Sequence, residues 1–235
     1  NNRAIFGPIL ENLPAPELIE GGHILPPTIV PFETDHTVDR KNPHMVHSNT
    51  VQDIIDNLDE THAAKVLVAV PSSRILGNIL GHTDLIHELS QRGYDVMHVT
   101  SKFGAYVNRT KVSREVFFNT LTEWGKEKGR KFVLFHYSIL SEGINVPGLT
   151  HCILLRNLNV VEMAQTIGRV IRLDRDDAQR LQSGELQPQQ WAFYNKPTGF
   201  VTIPVHRNHG ANIIKRLQRV TDEIFVKGVP ATALV

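Results

Sequence analysis

Apolar and polar positions alternate in two regimes along this 235-residue chain. Up to about residue 62, Pro8, Pro14, Pro16, Pro26, Pro27 and Pro31 cut the pattern into short pieces, because proline fixes φ and removes a backbone donor. A helical turn around Glu17–Glu20, a short strand over Thr28–Phe32 and a polar loop over Asp35–Pro43 are predicted there. Asn49–Glu60 then carries Val51, Ile54, Ile55 and Leu58 at helical spacing, with Ser48 or Asn49 available as N-cap.

Beyond residue 62 the rhythm becomes regular. Lys65–Val70 is a continuous apolar run, the pattern of a strand buried on both faces. Further strands are predicted at Tyr94–Val99, Lys131–Phe135 and His151–Leu155, and helices at Thr83–Gln91, Val112–Lys126 and Val160–Leu173. This alternation predicts an α/β fold, a doubly wound and mainly parallel sheet with helices on both faces. Trp191–Tyr194 and Phe200–Ile203, separated by Asn195–Gly199, predict a hairpin, and Ala211–Phe225 a closing helix. Ligands of such sheets sit beyond the carboxyl ends of the strands, here just after Val70, Val99, Phe135 and Leu155.

Composition narrows the class. A chain that is 41% hydrophobic and 21% charged is ordinary for a folded protein. The single Cys152 excludes a disulfide framework and a cysteine zinc cage, and it fits a reducing compartment. The longest aliphatic run, Val66–Val70, is far short of the ~20 residues of a membrane span, and no secretory signal is visible. A cytoplasmic protein with no membrane partner is expected. The net charge of +1 hides a polarised chain. Residues 1–62 hold 3 Lys or Arg against 10 Asp or Glu, Arg92–Lys131 hold 9 against 4, and Arg207–Val235 hold 5 against 2. Such a chain can present a basic face to phosphates that the total conceals; chance unevenness of solvated helices gives the same counts.

Val160–Leu173 is the most informative stretch. At 100° per residue, Val160, Met163, Ala164, Ile167, Val170 and Ile171 share one arc, and Glu162, Gln165, Arg169 and Arg172 the opposite one. Two guanidinium groups, the planar donors best suited to a polyphosphate, thus lie along one stripe. Gly168 at its margin costs ~1 kcal/mol in a helix interior, which suggests that something approaches the backbone closely. An ordinary amphipathic helix with a solvated basic face would show the same stripe.

The Gln165-x-x-Gly168-Arg169-x-x-Arg172 spacing resembles the sixth motif of superfamily 2 helicases. Tyr137-Ser-Ile-Leu-Ser-Glu-Gly143-Ile-Asn145-Val-Pro147 resembles the fifth, and Val66–Ser73 the fourth. Order, strand–loop placement and distances agree, and the Val161–Arg172 stretch looks most like phage UvsW-type recombination DNA helicases. The resemblance implies a RecA-like second motor lobe, from a nucleoside triphosphate hydrolase that uses ATP and Mg2+. It implies that Arg169 and Arg172 reach the γ-phosphate, with Gln165, Gly168, Gly143 and Asn145 at the nucleotide. Asp is common in that group where Asn145 stands, which weakens any charge-pair role. The partners implied are the first RecA-like lobe and a nucleic acid, with DNA favoured over RNA, in a bacterial or phage-infected cell. Residues 1–62 would lead from that first lobe, 63–206 form the second, and 207–235 a closing helix and tail.

Ser72, Ser73, Thr100, Ser101, Tyr137 and Ser138 follow predicted strands at one sheet edge, with Lys102, Arg109 and Lys111 close behind. Hydroxyls and cations of this kind suit phosphate-backbone contacts, although Ser and Thr are also common loop caps. No Gly-x-x-x-x-Gly-Lys-(Ser/Thr) loop occurs, and neither Asp59-Glu60 nor Asp222-Glu223 falls at a predicted strand end. The phosphate cradle and magnesium ligands are therefore expected on the first lobe, and the chain alone is expected not to hydrolyse ATP. Twelve histidines, densest at His36, His44 and His47 and again at His206 and His209, repeat no metal-ligand spacing. The rival readings are a restriction-system motor lobe, or a non-enzymatic interaction domain with an idle sixth motif.

Overall fold

The computed structural model describes residues 13–37, 39, 41–58, 64–137, 146–206 and 211–234. Eight strands form one sheet in the order β1-β8-β7-β2-β6-β3-β4-β5. They are β1 (Pro27–Thr34), β2 (Lys65–Ala69), β3 (Asp95–Thr100), β4 (Gly104–Val107), β5 (Thr110–Val112), β6 (Phe132–His136), β7 (His151–Leu154) and β8 (Gly199–His206). The six strands from β1 to β3 in that order pair in parallel, and β3, β4 and β5 pair antiparallel.

The helices are α1 (Ala15–Glu20), α2 (Pro43–Asp56), α3 (Ser73–His82), α4 (Leu85–Gln91), α5 (Arg114–Lys126), α6 (Val160–Val170), α7 (Arg175–Ser183) and α8 (Ala211–Val220). Alternate residues of each central strand point to opposite faces, so the sheet divides the core in two. Leu67, Met97, Leu134 and Ile203 face α5, α6 and α8, through Phe117, Leu121, Met163, Ile167 and Leu217. Val66, Val68, Val96 and Phe135 face α2, α3 and α4, through Val51, Ile54, Leu76, Ile79 and Leu89. Every side chain of β2, β6 and β7 is buried, as the continuous apolar runs predict.

Several expectations are corrected. The hairpin at Trp191–Ile203 does not form: Trp191–Phe193 is a 3-10 turn, and β8 instead enters the sheet parallel to β1 and β7. The reason lies in Asp177, a fully buried carboxylate that accepts the backbone N–H groups of Asn195 at 2.9 Å and Lys196 at 3.0 Å. That fixes the loop before β8 away from any ladder. The helix expected at Thr83–Gln91 forms as α4, Leu85–Gln91, and an unexpected helix, α3, precedes it. The expected polar loop ends earlier, with Pro43 at the first turn of α2. Asp95–Val112 forms an edge meander whose turn places Asn108 and Arg109 at positive φ. Helix α6 ends at Val170, so Arg172 lies beyond it, in an antiparallel bridge with Ile24. The closing helix changes at Thr221 into a π-helical turn, Thr221–Val226.

Candidate nucleotide and nucleic-acid face

From β2 the chain runs on towards β3, whereas from the adjacent β7 it runs towards β8. Connections that diverge between neighbouring parallel strands open a crevice at their carboxyl ends. The residues around that crevice are Ser72 and Ser73 after β2, His136 and Tyr137 closing β6, and Arg156 after β7.

Helix α3 starts here because the Ser72 hydroxyl accepts the Ile75 N–H at 3.1 Å, a cap worth about 1 kcal/mol. Thr100, at the end of β3, is buried and its hydroxyl accepts the Phe103 N–H at 2.9 Å. Both oxygens are engaged as local caps. Ser101 and Lys102 next to Thr100 are exposed, and Lys102 lies 5.4 Å from the Phe103 ring centroid.

Helix α6 is set by a capping box. Asn159 Oδ1 accepts the Glu162 N–H at 2.9 Å, and Glu162 reaches back to the Asn159 N–H at 3.3 Å. Glu162 also accepts from Arg156 Nη2 at 3.1 Å, and the Arg156 guanidinium lies over the Tyr137 ring at 5.0 Å. The N-terminus of α6 is thereby tied to the ends of β6 and β7.

On α6 itself Gln165 is exposed, whereas Arg169 is 8% exposed. Burial lowers the pKa of Arg169, and the charge of Arg172 lowers it further. Arg169 and Arg172 therefore remain neighbours although only the first is helical; the Arg172 side chain is exposed. His136, fully buried, is pushed down to about 3 by burial and then by Arg156 and Arg169. A neutral imidazole thus lies within the field of two guanidinium groups. Sequence reasoning marks the positions just after Phe135 and Leu155, which are His136 and Arg156, without assigning either residue a role, and it holds Glu162 only as part of the polar arc of α6.

A Cβ built on Gly168 meets nothing within 4 Å, so no described part of this chain requires that glycine. Ser138, Gly143 and Asn145 lie outside the described residues. Lys102, Arg109 and Lys111 are all exposed, but the structure separates them. Lys102 sits with Ser101 in the β3–β4 turn and Lys111 reaches back to Gly104 beside it, whereas Arg109 lies in the β4–β5 turn at the other end of β3, where Asn108 bonds Asp95 and Val96.

The side chains at these strand ends are hydroxyls, imidazole and guanidinium groups, which suit an anion and not Mg2+. Among the described residues no group of three or more His, Cys, Asp or Glu is placed to hold a metal ion. The histidines do gather at the ends of β1 and β8: His36 Nε2 meets Asp53 Oδ2 at 2.7 Å, and His206 Nδ1 lies 2.9 Å from His36 O. Among the described residues no helix is long and apolar enough to cross a membrane.

Sheet order, two-sided helix cover and a crevice at the parallel strand ends define a RecA-like α/β lobe. The chain belongs to the helicase conserved C-terminal domain family, whose profile matches residues 48–174, over half of its length. Among solved structures it is similar to the ATP-dependent Type ISP restriction-modification enzyme LlaBIII bound to DNA. That likeness has 10% identity and a TM-score of 0.53, over 97% of this chain and 16% of that one. It is also similar to the Pyrococcus furiosus Hef helicase domain, at 14% identity and TM-score 0.40 over 74% of this chain and 27% of that one. The C-terminal part of the Fun30 ATPase domain follows, at 13% identity and TM-score 0.42 over 76% and 53%. The chain therefore spans less than two thirds of each of these structures. No curated protein matches it.

Proposed function

We propose that the chain is the second motor lobe of an ATP-dependent DNA helicase or translocase. Arg169 and Arg172 present guanidinium charge to the γ-phosphate of ATP bound on a first RecA-like lobe, with Gln165 beside them and Gly143 and Asn145 completing the turn to the nucleotide. Residues 1–62 lead in from that lobe, 63–206 form the second, and 207–235 close it. Magnesium ligands belong to the first lobe. The observation that supports this reading is that Arg156 lies 5.0 Å over the Tyr137 ring at the end of β6 and that the charges of Arg156 and Arg169 both act on His136 there, at the edge where Ser72, Ser73, Ser101 and Lys102 also lie.

The chemistry follows from charge. Phosphoryl transfer spreads negative charge over the γ-phosphoryl oxygens, and an arginine brought from outside the phosphate cradle stabilises it, worth ~10³–10⁵ in rate. Because the arginines sit on a separate lobe, closure and hydrolysis are coupled. The strand-end groups Ser72, Ser73, Thr100, Ser101, Lys102, Tyr137 and Ser138 hold the backbone of a single or branched DNA strand. They read no sequence. Of these, Lys102, with Lys111 near it across Gly104, supplies the salt-dependent part of binding. A second reading, the motor lobe of a restriction system, takes its support from the LlaBIII enzyme, which shares the fold over 97% of this chain. A nuclease or methylase segment on the same polypeptide would favour it.

The test compares the chain alone with the full-length protein. The chain alone turns over no ATP, while the full-length protein turns over ATP faster when DNA is added. Robust ATP turnover by the chain alone, or full-length turnover indifferent to DNA, sinks the proposal.

A further inference from the structure

The opposite edge of the sheet, where β2, β7 and β8 begin, holds a cavity of about 430 Å³, a size that suits a small organic ligand. Its walls include Lys65, Thr150, His151, Lys196, Thr198 and Phe200. Nothing in the motor reading uses it.

Two buried lysines converge there. Lys65 Nζ donates to Gly125 O and Glu127 O, both at 2.7 Å. Lys196 Nζ donates to Leu149 O at 2.6 Å and Arg172 O at 2.7 Å. An ammonium has three N–H donors, so each keeps one beyond these backbone bonds. The two residues are 7% and 8% exposed. Burial disfavours the Lys196 ammonium; beyond that, it is favoured by the charges of Asp174 and Asp177 and disfavoured by those of Arg172 and Lys65. Gly148, at φ 72°, lets the Gly125 carbonyl approach, since a Cβ there would stand 2.2 Å from Gly125 O, with Lys65 Nζ 3.1 Å away.

Two carboxylates stand at the rim: the charge of Asp174 favours the ammonium form of both lysines and that of Glu127 favours it at Lys65, while each has one oxygen held in a hydrogen bond. Asp174 Oδ1 caps α7 by accepting the N–H groups of Asp176 and Asp177, and Glu127 accepts from Arg130 at 2.8 Å. The Phe200 and His151 rings, cross-strand partners, stack with centroids 4.9 Å apart and planes 12° from parallel, which gives the cavity an aromatic wall. Two single N–H donors match the two oxygens of a carboxylate. A phosphate is better served by a guanidinium fork or a run of backbone N–H groups.

We propose that this cavity binds a small aromatic carboxylate, its two oxygens meeting Lys65 and Lys196 and its ring lying against Phe200. Burial brings Lys196 down to about 7. At about pH 8 its neutral amine spends both N–H groups on Leu149 O and Arg172 O. The third N–H exists only on the ammonium, so carboxylate binding draws a proton onto Lys196.

The test is calorimetry on the full chain at about pH 8, in two buffers of different ionisation heat, with benzoate as probe and benzyl alcohol as its uncharged counterpart. Benzoate binds at least about tenfold tighter than benzyl alcohol, takes up close to one proton, and loses several-fold in affinity in Phe200→Leu. Lys65→Met abolishes binding, but it strips two carbonyls of their donor and puts folding at risk. The comparison of the two probes on the unaltered chain therefore decides. Equal affinity for the two probes, no binding of benzoate at about 10 mM, or benzoate binding without proton uptake overturns the proposal. ATP turnover plays no part in this test, so its outcome is separable from that of the motor reading.

Discussion

Gly168→Ala separates a glycine kept for this chain's own packing from one kept for a neighbour. Gly168 lies in the last turn of α6, and a Cβ there meets no atom within 4 Å. Alanine thus adds helix propensity without a clash. The gain is ~1 kcal/mol in a helix interior and less near a fraying end, so about 0.5–1 kcal/mol here. For a domain of this size each kcal/mol moves the melting temperature by about 2–4 °C, so a rise of roughly 1–4 °C is expected. Thermal unfolding of the chain followed by circular dichroism measures it. In the full-length protein the same methyl intrudes where the nucleotide or the first lobe approaches, and DNA-stimulated ATP turnover falls. A lowered melting temperature refutes the structural half of this reasoning; unchanged turnover refutes the functional half.

Three further outcomes follow from the packing. Gly199→Ala has the opposite sign: its Cβ would lie 2.4 Å from Val170 O, so denaturant titration is expected to show a loss of about 1–3 kcal/mol or more, and a neutral result contradicts the register of β8 against α6. Asp177→Ala leaves the amides of Asn195 and Lys196 without their acceptor and costs about 2–5 kcal/mol; amide exchange in the loop before β8 rises if the carboxylate organises it, and stays slow if it does not. Burial holds His136 at about 3 and His47 and His98 at about 4. The unfolded chain therefore binds protons first as pH falls, and the stability these groups contribute is complete above about 6.5 and lost as pH falls towards about 4 and below. A melting temperature that does not change between pH 7 and 4 would contradict their burial as neutral rings.

What the sequence displayed and what it hid have physical reasons. Strand β2 was legible because a run buried on both faces has no polar position to interrupt it, and α6 because its apolar arc is continuous. Helix α3 was hidden by Gly77 and Gly81, which read as breakers; yet Gly77 gives room to the Phe103 ring, which comes within 3.2 Å of its Cβ position. The β4–β5 turn was hidden because Asn108 and Arg109 adopt positive φ without glycine, so the usual hairpin signal is missing. The route into β8 depends on Asp177 reaching residues 195 and 196, a long-range contact that no local pattern encodes. In the candidate site, the arginine stripe and the strand-end residues Ser72, Ser73, Thr100, Ser101, Lys102 and Tyr137 were visible as spacing. The Arg156–Glu162 link and the burial of His136 were not, because they arise only when the ends of β6 and β7 meet the start of α6.

The most direct test of the motor-lobe reading is single-turnover ATP hydrolysis by the full-length protein carrying Arg169→Ala or Arg172→Ala, with DNA present and DNA binding measured in parallel. Arg172 carries the cleaner arm, because it is exposed whereas Arg169 is buried. The predicted result is a fall in hydrolysis of about 10³-fold or more for each variant, with DNA affinity retained. Hydrolysis within a few-fold of the unaltered protein in both variants would contradict it.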